Sequence, residues 1–578
     1  MMNYFFMKPL IISKIITGML CGCICIDHAM AQDIKTMTAK DTLPNGIVLP
    51  ADWPPKTEDP LSAAPMRVPY LEQPPAVIPV NTGRQLFVDD FLIASTDLQR
   101  VFHQANKYQA NPVFFPETKE ELSGAFDNSA TTYLGQGGVF FDPAAHHFKM
   151  FYSAGWRGGL AMATSKDLLH WERPDLGLAG GNIIIPPGPQ FAGGDNAVWV
   201  DLQATDPTQR YKAVIERLVD GSWTKNYKSK EASPTHTLHT SADGRIWSQG
   251  VEMGRASDYT SFFYNPFRDV WAFSIKRNTK RGRARYYAES KDFIKNMDWN
   301  SSVYWTGADS LDKPDEQIGD PAQLYSLNAV AYESIMLGEF YIHLGPSNKV
   351  CEDGKFPKIT ELKLGFSRDG FYWHRPDRNA FIAPTRREGD WDRAYLHGTM
   401  GVCLVMGDSL WFPYCGYSGV APDGSKGMYT GASIGMATLR RDGFASMEAG
   451  NRKGMLLTRP VFFSGKYLFV NVDCPAGELI VEVLDEAGKK IKGFAAADCK
   501  PVSANSTLQQ VIWKNNADLS SLAGKNVRFK FHLKNGKIYS FWVSPDESGA
   551  SYGYLGAGGP GYDGVIDDKG SKAYQNKQ

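Results

Sequence analysis

The sequence carries no excess of charge of either sign, because Lys and Arg together number 62 and Asp and Glu together also number 62. Proteins that bind nucleic acids usually have a basic excess, so this balance argues against a nucleic-acid partner. No apolar run beyond the N-terminus is long enough to cross a membrane as a helix. Cys-x-x-Cys pairs are absent and no other ligand spacing indicates a metal, so we expect neither a zinc site nor a cofactor.

The N-terminal segment has the features of an export signal. Residues 1–31 combine two lysines, an uncharged apolar stretch at 15–26 and a small-x-small cleavage pattern at 29–31. This pattern predicts a secretory signal peptide and a periplasmic or extracellular protein. A lipoprotein signal is the alternative, in which Cys23 would be a lipid anchor.

Five cysteines remain after the signal peptide, at positions 351, 403, 415, 474 and 499. Cys403 and Cys415 flank a short turn and could pair across a hairpin, and Cys474 could pair with Cys499. The alternative is five buried thiols, because the spacing forms no dense disulfide framework.

A short motif, Ser-x-Asp followed by Trp, recurs along the chain. Its Asp residues stand at 167, 243, 292 and 369, with a degenerate copy at 442, so the intervals are 76, 49, 77 and 73 residues. Asp and Gly in such a motif favour a tight turn, which makes the repeated residues structural. Repeats of this length are typical of propeller blades.

Each copy of the motif ends a series of strand-like runs. The first runs are 137–142, 197–202, 261–264, 327–332 and 398–405, and the second runs are 148–154, 211–216, 270–275, 339–344 and 410–415. Third runs lead into the motif and the Trp opens a fourth. Four strands in each of five units predict an all-β chain with a five-bladed β-propeller over 83–450.

The rest of the chain divides into three parts. A Pro-rich extension without periodicity covers 32–82. Strand-like runs in 451–547, with a hairpin signal at Asn535-Gly536, predict a β-sandwich after the propeller. The Gly-, Asp- and Ser-rich residues 548–578 predict a flexible tail.

Three stretches resemble a known family of enzymes: 83–93 (GRQLFVDDFLI), 263–268 (FYNPFR) and 364–376 (LGFSRDGFYWHRP). Together with the predicted architecture they resemble secreted bacterial glycoside hydrolases of the family 43 and family 32-like type, over roughly 83–545. The resemblance implies three acidic residues at the entrance of a central funnel, where the innermost strands begin. It also implies cleavage of glycosidic bonds, mostly furanosidic, in plant or algal polysaccharide fragments.

No catalytic residue transfers by motif, because the family's Trp-Met-Asn-Asp-Pro-Asn-Gly, Arg-Asp-Pro and Glu-Cys sequences are absent. Position therefore selects the candidates, since glycoside hydrolysis needs a protonated carboxyl and a carboxylate facing each other across the sugar. The catalytic candidates are Asp195 and Asp258 before first runs, Asp127 and Asp320 in upstream loops, and Glu333 at the end of a first run. We expect Asp195 or Asp127 to be the base or nucleophile, and Asp258 or Glu333 to be the general acid. Each also has a non-catalytic interpretation, as a turn former or a solvated loop residue.

Three further residues are candidates for binding the sugar. His397 precedes a first run, and Trp156 and Arg157 follow a second run, where they could shape a sugar platform. Ordinary packing is the alternative for all three. Asp89 and Asp90 are interpreted as structural. The basic run 276–285 is interpreted as a solvated hairpin face, with uronate binding as the alternative.

Two other functions stay open beside the hydrolase. A non-catalytic glycan-binding propeller would have aromatic platforms but no carboxylate pair. A sialidase-like enzyme would have similar Ser-x-Asp turns but six blades and an arginine cluster.

Overall fold

The computed structural model describes residues 42–123, 129–178, 180–187, 195–218, 234–295 and 298–574. The predicted signal peptide, with Cys23, and Asp127 lie outside these ranges. Within them the chain consists almost entirely of β-strands, so the prediction of an all-β chain is confirmed. The helices are α1 (Pro69–Glu72), α2 (Lys119–Ser123) and α3 (Asn348–Gly354), with 3₁₀ turns at Pro207–Gln209, Trp299–Ser301, Ser520–Leu522 and Gly570–Tyr574. None of the helices in these ranges is both long and apolar enough to span a membrane.

The strands, in chain order, are β1 (Ile78–Pro79), β2 (Gln85–Leu86), β3 (Ile93–Thr96), β4 (Gln99–Phe102), β5 (Asn106–Lys107), β6 (Thr132–Tyr133), β7 (Val139–Asp142), β8 (His147–Ala154), β9 (Gly159–Ser165), β10 (Trp171–Glu172), β11 (Ile183–Ile185), β12 (Ala197–Val200), β13 (Tyr211–Leu218), β14 (Pro234–Ser241), β15 (Val251–Arg255), β16 (Ser261–Asn265), β17 (Val270–Thr279), β18 (Gly282–Ser290), β19 (Val303–Gly307), β20 (Gln323–Glu333), β21 (Ile335–Gly345), β22 (Ile359–Ser367), β23 (Ala394–His397), β24 (Leu404–Met406), β25 (Ser409–Tyr417), β26 (Ala432–Arg440), β27 (Ala445–Ala449), β28 (Gly454–Thr458), β29 (Val461–Phe462), β30 (Tyr467–Asp473), β31 (Glu478–Asp485), β32 (Asn505–Val511), β33 (Asn526–Lys534), β34 (Gly536–Ser544) and β35 (Tyr554–Leu555).

Five antiparallel sheets follow one another along the chain, and we number them 1 to 5. Sheet 1 has the order β10-β9-β8-β6 with β7 and β11 at its sides, sheet 2 β12-β13-β14-β15, and sheet 3 β16-β17-β18-β19. Sheet 4 has the order β22-β21-β20-β35, and sheet 5 β23-β25-β26-β5 with β24 beside β25. In repeats one to four, the predicted first, second and third runs correspond to neighbouring strands of one sheet. In the fifth repeat the predicted first run, 398–405, is wrong, because β23 ends at His397 and the run overlaps only the start of β24.

Each of these sheets contacts the next, and the fifth contacts the first. Strand β12 touches β7 and β16, β16 touches β20, and β22 touches β23. Between sheets 5 and 1, Gly138 bridges Met400 in parallel, and Thr399 Oγ1 donates to the Gly137 carbonyl at 2.5 Å. The five sheets therefore form a closed series, in which the first strands of sheets 1 to 4 contact one another in succession.

The repeated Ser-x-Asp motif forms a hydrogen-bonded turn at the end of the third strand. In the first copy, Ser165 Oγ accepts from the backbone N–H of Leu168 at 3.0 Å, and Asp167 Oδ1 accepts from the N–H groups of Leu169 and His170 at 2.9 and 2.8 Å. Asp243, Asp292 and Asp369 accept in the same way. The repeat is therefore turn chemistry, because side-chain acceptors satisfy backbone donors that the strand end leaves free.

Two further sheets lie outside this closed series and pack against each other. Sheet 6 has the order β1-β29-β33-β28-β3 with β31 on β33, and sheet 7 the order β32-β30-β34-β27-β4 with β2 on β34. The Phe541 ring of sheet 7 lies 5.5 Å from the ring of Phe529 and 5.4 Å from that of Phe531, both in sheet 6. The predicted boundaries at 83 and 451 are thereby corrected, because β1 to β4 and β27 complete these two sheets.

The hairpin expected at Asn535-Gly536 is a second correction. Asn535 has φ of 46°, as a tight turn requires, yet the strands on its two sides enter different sheets. Strand β33 pairs within sheet 6 and β34 within sheet 7. The turn therefore connects the two sheets. Which sheet each strand joins depends on the strands available to pair with it and not on the turn residues.

The flexible tail is a third correction over the described residues 548–574. Strand β35 pairs with β20, and the Asp567 side chain is fully buried against Arg441. The five cysteines outside the predicted signal peptide are all buried free thiols, so neither suggested disulfide forms.

Candidate active site

Two carboxyl groups and an imidazole lie in one row across sheet 2. Continuing the β12–β13 register, in which Ala197 faces Val214, places Asp195 directly opposite Glu216, and Glu216 in turn faces His236 on β14. Residues in such positions have Cβ atoms about 5 Å apart. Asp195 and Glu216 are 3% and 1% exposed, so the two carboxyls are buried side by side.

The buried pair holds a proton more tightly than free carboxyls do. Burial raises the pKa of Glu216 to about 7, with the negative charge of Asp258 adding to the shift and Arg157 and Lys276 opposing it. Burial also raises the pKa of Asp195, and repulsion from Glu216 and Asp258 raises it further. Since two adjacent carboxyls titrate together, the pair carries a proton near neutral pH.

Asp258 is in the opposite electrostatic situation. Burial alone would raise its pKa, but the ammonium of Lys276 forms an ion pair with Oδ1 and holds the pKa well below its usual range. Tyr325 Oη donates to Oδ2 at 3.4 Å. The Asp258 side chain is 29% exposed and reaches the solvent. The lowered pKa of Asp258 and the raised pKa of Asp195 reverse the roles expected from the sequence, in which Asp258 was an acid and Asp195 a base.

Tyrosines and a neutral histidine line the same end of sheets 3, 4 and 5. Tyr259 Oη lies 2.9 Å from His397 Nδ1, and Tyr325 Oη lies 2.8 Å from Tyr395 Oη. Burial, together with the positive charges of Lys358 and Lys276, lowers the pKa of His397 well below its usual value. His397 is therefore a neutral hydrogen-bonding group at the base of the site.

Sheet 1 contributes Trp156 and Arg157, which follow β8. Trp156 stacks on Tyr429 with ring centroids 4.0 Å apart, and the Tyr133 ring lies 5.2 Å away. One face of the half-buried indole is therefore occupied by Tyr429, and a role of Trp156 in binding the sugar stays a prediction. The Arg157 side chain is buried, and its charge lowers the pKa values of both Asp195 and Glu216.

The basic run 276–285 is not a solvated hairpin face at its two ends, which is a further correction. Lys276 is 3% exposed and faces Asp258, and Arg285 is fully buried. Arg285 Nη1 donates to the Tyr259 carbonyl at 2.6 Å and Nη2 donates to the Tyr325 carbonyl. Arg285 thus joins sheets 3 and 4 beneath the carboxyls.

Glu333 lies far from this cluster. It ends the same strand, β20, that carries Tyr325 near its start, and eight residues of strand span about 26 Å. Its carboxylate lies 3.1 Å from Arg441 Nη2 and 3.4 Å from Arg84 Nε, and all three side chains are fully buried. This is a structural ion network, so the expectation that Glu333 is the general acid is corrected.

The remaining predicted residues have different positions. Asp320 is half-buried in the loop before β20, against Gly345 at the end of β21, which places it at the rim of the site. Asp127 lies outside the described residues. Asp89 forms a buried ion pair with Arg368 at 2.8 Å, in keeping with the structural interpretation, and Asp90 pairs with Arg100 at the surface.

Sequence reasoning missed Glu216 and Lys358, and it considered Lys276 only as part of the basic run 276–285. The sequence did contain a signal for Glu216 and Lys276, because Glu216 ends one predicted second run and Lys276 directly follows another. In an antiparallel pair the end of the second strand lies beside the start of the first. Applying this rule would have placed Glu216 beside Asp195 and Lys276 beside Asp258.

Within the described ranges, no group of three or more His, Cys, Asp or Glu side chains is arranged to hold a metal ion. The arrangement instead combines a protonated carboxyl pair, an ionised carboxylate and a lining of tyrosines, to which all five sheets contribute. Such a set can donate a proton to a leaving oxygen on one side of a bond and support charge or water on the other.

No protein-family model matches the sequence, and no curated protein matches it. Among solved structures, an N-acetylgalactosamine deacetylase from F. plautii is 15% identical with a TM-score of 0.40, over 58% of this chain and 95% of that chain. A thermostable family-43 glycoside hydrolase is 11% identical with a TM-score of 0.38, over 56% of this chain and 94% of that chain. These likenesses assign neither a family nor an activity to this chain.

Proposed function

We propose that this chain is a secreted glycoside hydrolase, built as a five-bladed β-propeller with a β-sandwich, whose acid–base groups are Asp195, Glu216 and Asp258. The observation that carries the proposal is the separation of carboxyl pKa values at one end of the five sheets. The Asp195–Glu216 pair is kept protonated by burial, while Asp258 is kept ionised by Lys276. Neighbouring carboxyls with opposite shifts are the usual basis for dividing acid and base roles.

The closed series of five sheets supports the propeller. In a propeller the first strand of each blade lies at the centre, and here the first strands of sheets 1 to 4 contact one another in succession. Site residues come from the same end of all five sheets, which is where a central funnel would open. Five sheets also disfavour the sialidase-like alternative, which needs six.

The proposed reaction divides into two proton movements. The buried pair, through Glu216 or Asp195, donates its proton to the glycosidic oxygen as the bond to the anomeric carbon breaks. Asp258 either attacks the anomeric carbon or takes a proton from the water that does so. The hydroxyl oxygens of Tyr325 and Tyr395 lie beside Asp258, where they can accept hydrogen bonds from sugar hydroxyls.

The first test is a hydrolysis screen on aryl furanosides, aryl pyranosides and neutral and acidic oligosaccharides. We expect Glu216→Gln and Asp258→Asn to lower kcat by about 10²–10⁴-fold, the range for loss of a general acid or base. Asp195→Asn tests the other member of the pair. The matched control is Glu172→Gln, which changes an exposed carboxyl on β10 and should keep full activity.

The pH profile provides an independent check. Activity requires Glu216 or its partner protonated and Asp258 ionised, so the rate should fall as pH rises above about 7. The lowered pKa of Asp258 places the acid limb below the usual range of carboxyls. A rate that keeps rising above pH 8 would contradict the assignment of the pair as the acid.

A glycan-binding protein without turnover is the second candidate, and the number of tyrosines at the site favours it. This candidate predicts glycan affinity in the wild type and in both carboxyl variants, with no product from any substrate. Turnover that depends on Asp258 would exclude it.

Two finer expectations have their own measurements. The furanosidic preference, implied by the resemblance to family 43 and family 32-like enzymes, is tested by comparing kcat/KM on matched aryl furanosides and pyranosides. Secretion is tested by expressing the full chain and determining the mature N-terminus. Cleavage after residue 31 supports free secretion, whereas lipid on Cys23 supports an anchored protein.

A further inference from the structure

A lysine that the proposed chemistry does not use is buried beside the candidate site. Lys358 directly precedes β22 and is 1% exposed. Within the described part of the chain, no carboxylate lies within ion-pairing distance of its ammonium, and its hydrogen-bond acceptor is Asn348 Oδ1 at 3.2 Å. A buried charge without a counter-charge is costly, so such a group commonly marks a place for an anion.

The surroundings of Lys358 are the tyrosines of the site. Its Nζ lies 4.5 Å from the ring centroid of Tyr395, 5.0 Å from that of Tyr325 and 5.4 Å from that of Tyr429. Tyr325 also donates to Asp258, so a single side chain, that of Tyr325, contacts both the Lys358 ammonium and the ionised carboxylate. Lys358 therefore belongs, with Asp258 and these three tyrosines, to one group of side chains, which we call the recess.

A second cation lies at the same tyrosine, and no carboxylate among the described residues forms an ion pair with it. The Arg283 guanidinium is 5.4 Å from the Tyr325 ring centroid, and its side chain donates to Gln323 Oε1 at 2.8 Å. Lys276 lies 4.0 Å from the same ring, but Asp258 neutralises it. Lys276, Lys358 and Arg283 thus all act on Asp258, whose single negative charge is ion-paired with Lys276. The cations at this place therefore outnumber the ionised carboxylate.

Two pKa shifts agree with this charge count. Burial, together with repulsion from Arg283, lowers the pKa of Lys358 to about 7, although the charge of Asp258 opposes the shift. Burial and the positive charges of Arg283 and Lys358 lower the pKa of the neighbouring His343 to about 2.

We propose that the sugar bound at this site carries an anionic group, a carboxylate or a sulfate ester, which Lys358 and Arg283 hold beside Asp258. The inference rests on the proposed function for its location, because it takes the recess to be the sugar site. It adds the substrate class, which is an acidic glycan. Lysine suits this role as a compact point charge, and the flanking tyrosines exclude water from the contact.

Binding measurements test the inference without requiring turnover. Calorimetry compares wild-type affinity for a uronic-acid oligosaccharide, its carboxyl-reduced neutral counterpart, a sulfated sugar and inorganic phosphate. We expect an acidic sugar to bind at least about tenfold more tightly than the neutral counterpart, as for a partly buried charged contact. The uronate and sulfate arms identify which anionic group the recess accepts.

The variants separate charge from structure. Lys358→Met should abolish the preference for the acidic sugar while keeping neutral-sugar affinity, and Lys358→Arg should restore it at least in part. The control is Lys363→Met, which removes another buried lysine whose Nζ lies 3.7 Å from Glu361. Thermal unfolding of each variant confirms that it is folded.

The outcomes distinguish this inference from the proposed function. Equal affinity for acidic and neutral sugars, or hydrolysis of neutral sugars alone, overturns the inference and leaves the hydrolase proposal intact. Binding of inorganic phosphate without any acidic sugar also overturns it. A Lys358-dependent preference for acidic sugars without turnover supports the inference and counts against the hydrolase.

Discussion

At position 276, a lysine that is almost fully buried controls the ionisation of Asp258. Its ammonium forms an ion pair with the Asp258 carboxylate and approaches the Tyr325 ring to 4.0 Å. Without this charge, burial would favour the neutral acid. The division of roles between Asp258 and the Asp195–Glu216 pair therefore depends on one side chain from the adjoining strand.

Replacing that lysine should move the pH dependence in a defined direction. Lys276→Met removes the cation that lowers the pKa of Asp258, so we expect the acid limb of the rate profile to move up by about one pH unit or more. A lowered carboxyl pKa contributes stability above the unfolded value of 3.8 and loses it as pH falls. The variant should therefore also be less stable at neutral pH, which urea unfolding measures.

A control separates this effect from a general loss of an ion pair. Lys149→Met breaks the pair with Asp142, whose atoms lie 2.9 Å apart outside the site. It should lower stability and leave the acid limb in place. An unmoved acid limb in Lys276→Met would contradict the role given to Lys276.

At the scale of the element, the repeated turn shows how burial changes the contribution of the same hydrogen bonds to the free energy of unfolding. Asp369 Oδ1 accepts from Phe371 and Tyr372 N–H groups at 2.8 and 2.9 Å in a buried turn. Asp243 Oδ1 accepts from two N–H groups at 2.8 and 3.0 Å in an exposed turn. Water can replace the carboxylate in the second turn only.

Replacing these two Asp residues by alanine should therefore change the free energy of unfolding by different amounts. We expect Asp369→Ala to lower the free energy of unfolding by about 2–3 kcal/mol, because two buried donors lose their acceptor, and Asp243→Ala by about 1 kcal/mol or less. Urea unfolding of both variants checks this. Equal losses would mean that burial does not set the strength of the turn.

The strands were largely predictable from the sequence, and the reason is local. Strand β12 begins at residue 197, β17 at 270 and β25 at 409, each within a residue of the predicted run. Alternating apolar residues and Asp- or Gly-rich turns act over a few positions, so they can be recognised without knowing the fold. Asn535 shows the limit, since its turn signal was real but the pairing of its flanking strands was not local.

At the scale of the whole molecule, buried charges connect segments that are distant in the chain. Arg441 Nη2 lies 3.1 Å from Glu333 and 2.9 Å from Asp567, and Arg84 Nη1 lies 3.1 Å from Asp442. These side chains join the N-terminal strands, the end of β20, the fifth repeat and the C-terminal segment. The network explains why residues 548–574 pack against the protein.

Glu333→Gln tests whether this network is structural. We expect the free energy of unfolding to fall by about 3–5 kcal/mol, because a buried charge partner is removed, with kcat/KM unchanged within about twofold. Glu172→Gln, an exposed change, should alter neither quantity. Unchanged stability together with a large loss of kcat/KM would instead restore Glu333 as a catalytic candidate.

By itself the sequence determined the all-β character, the strand positions, the turn motif and two carboxyl groups of the site, Asp195 and Asp258. These follow from patterns within a few residues and from their place before a strand. Only the tertiary structure decided that Glu216, Lys276 and Lys358 join them, that Glu333 does not, and that Trp156 stacks on Tyr429. Each of those outcomes depends on which strands pair and what packs on their ends, and therefore on contacts between residues far apart in the chain.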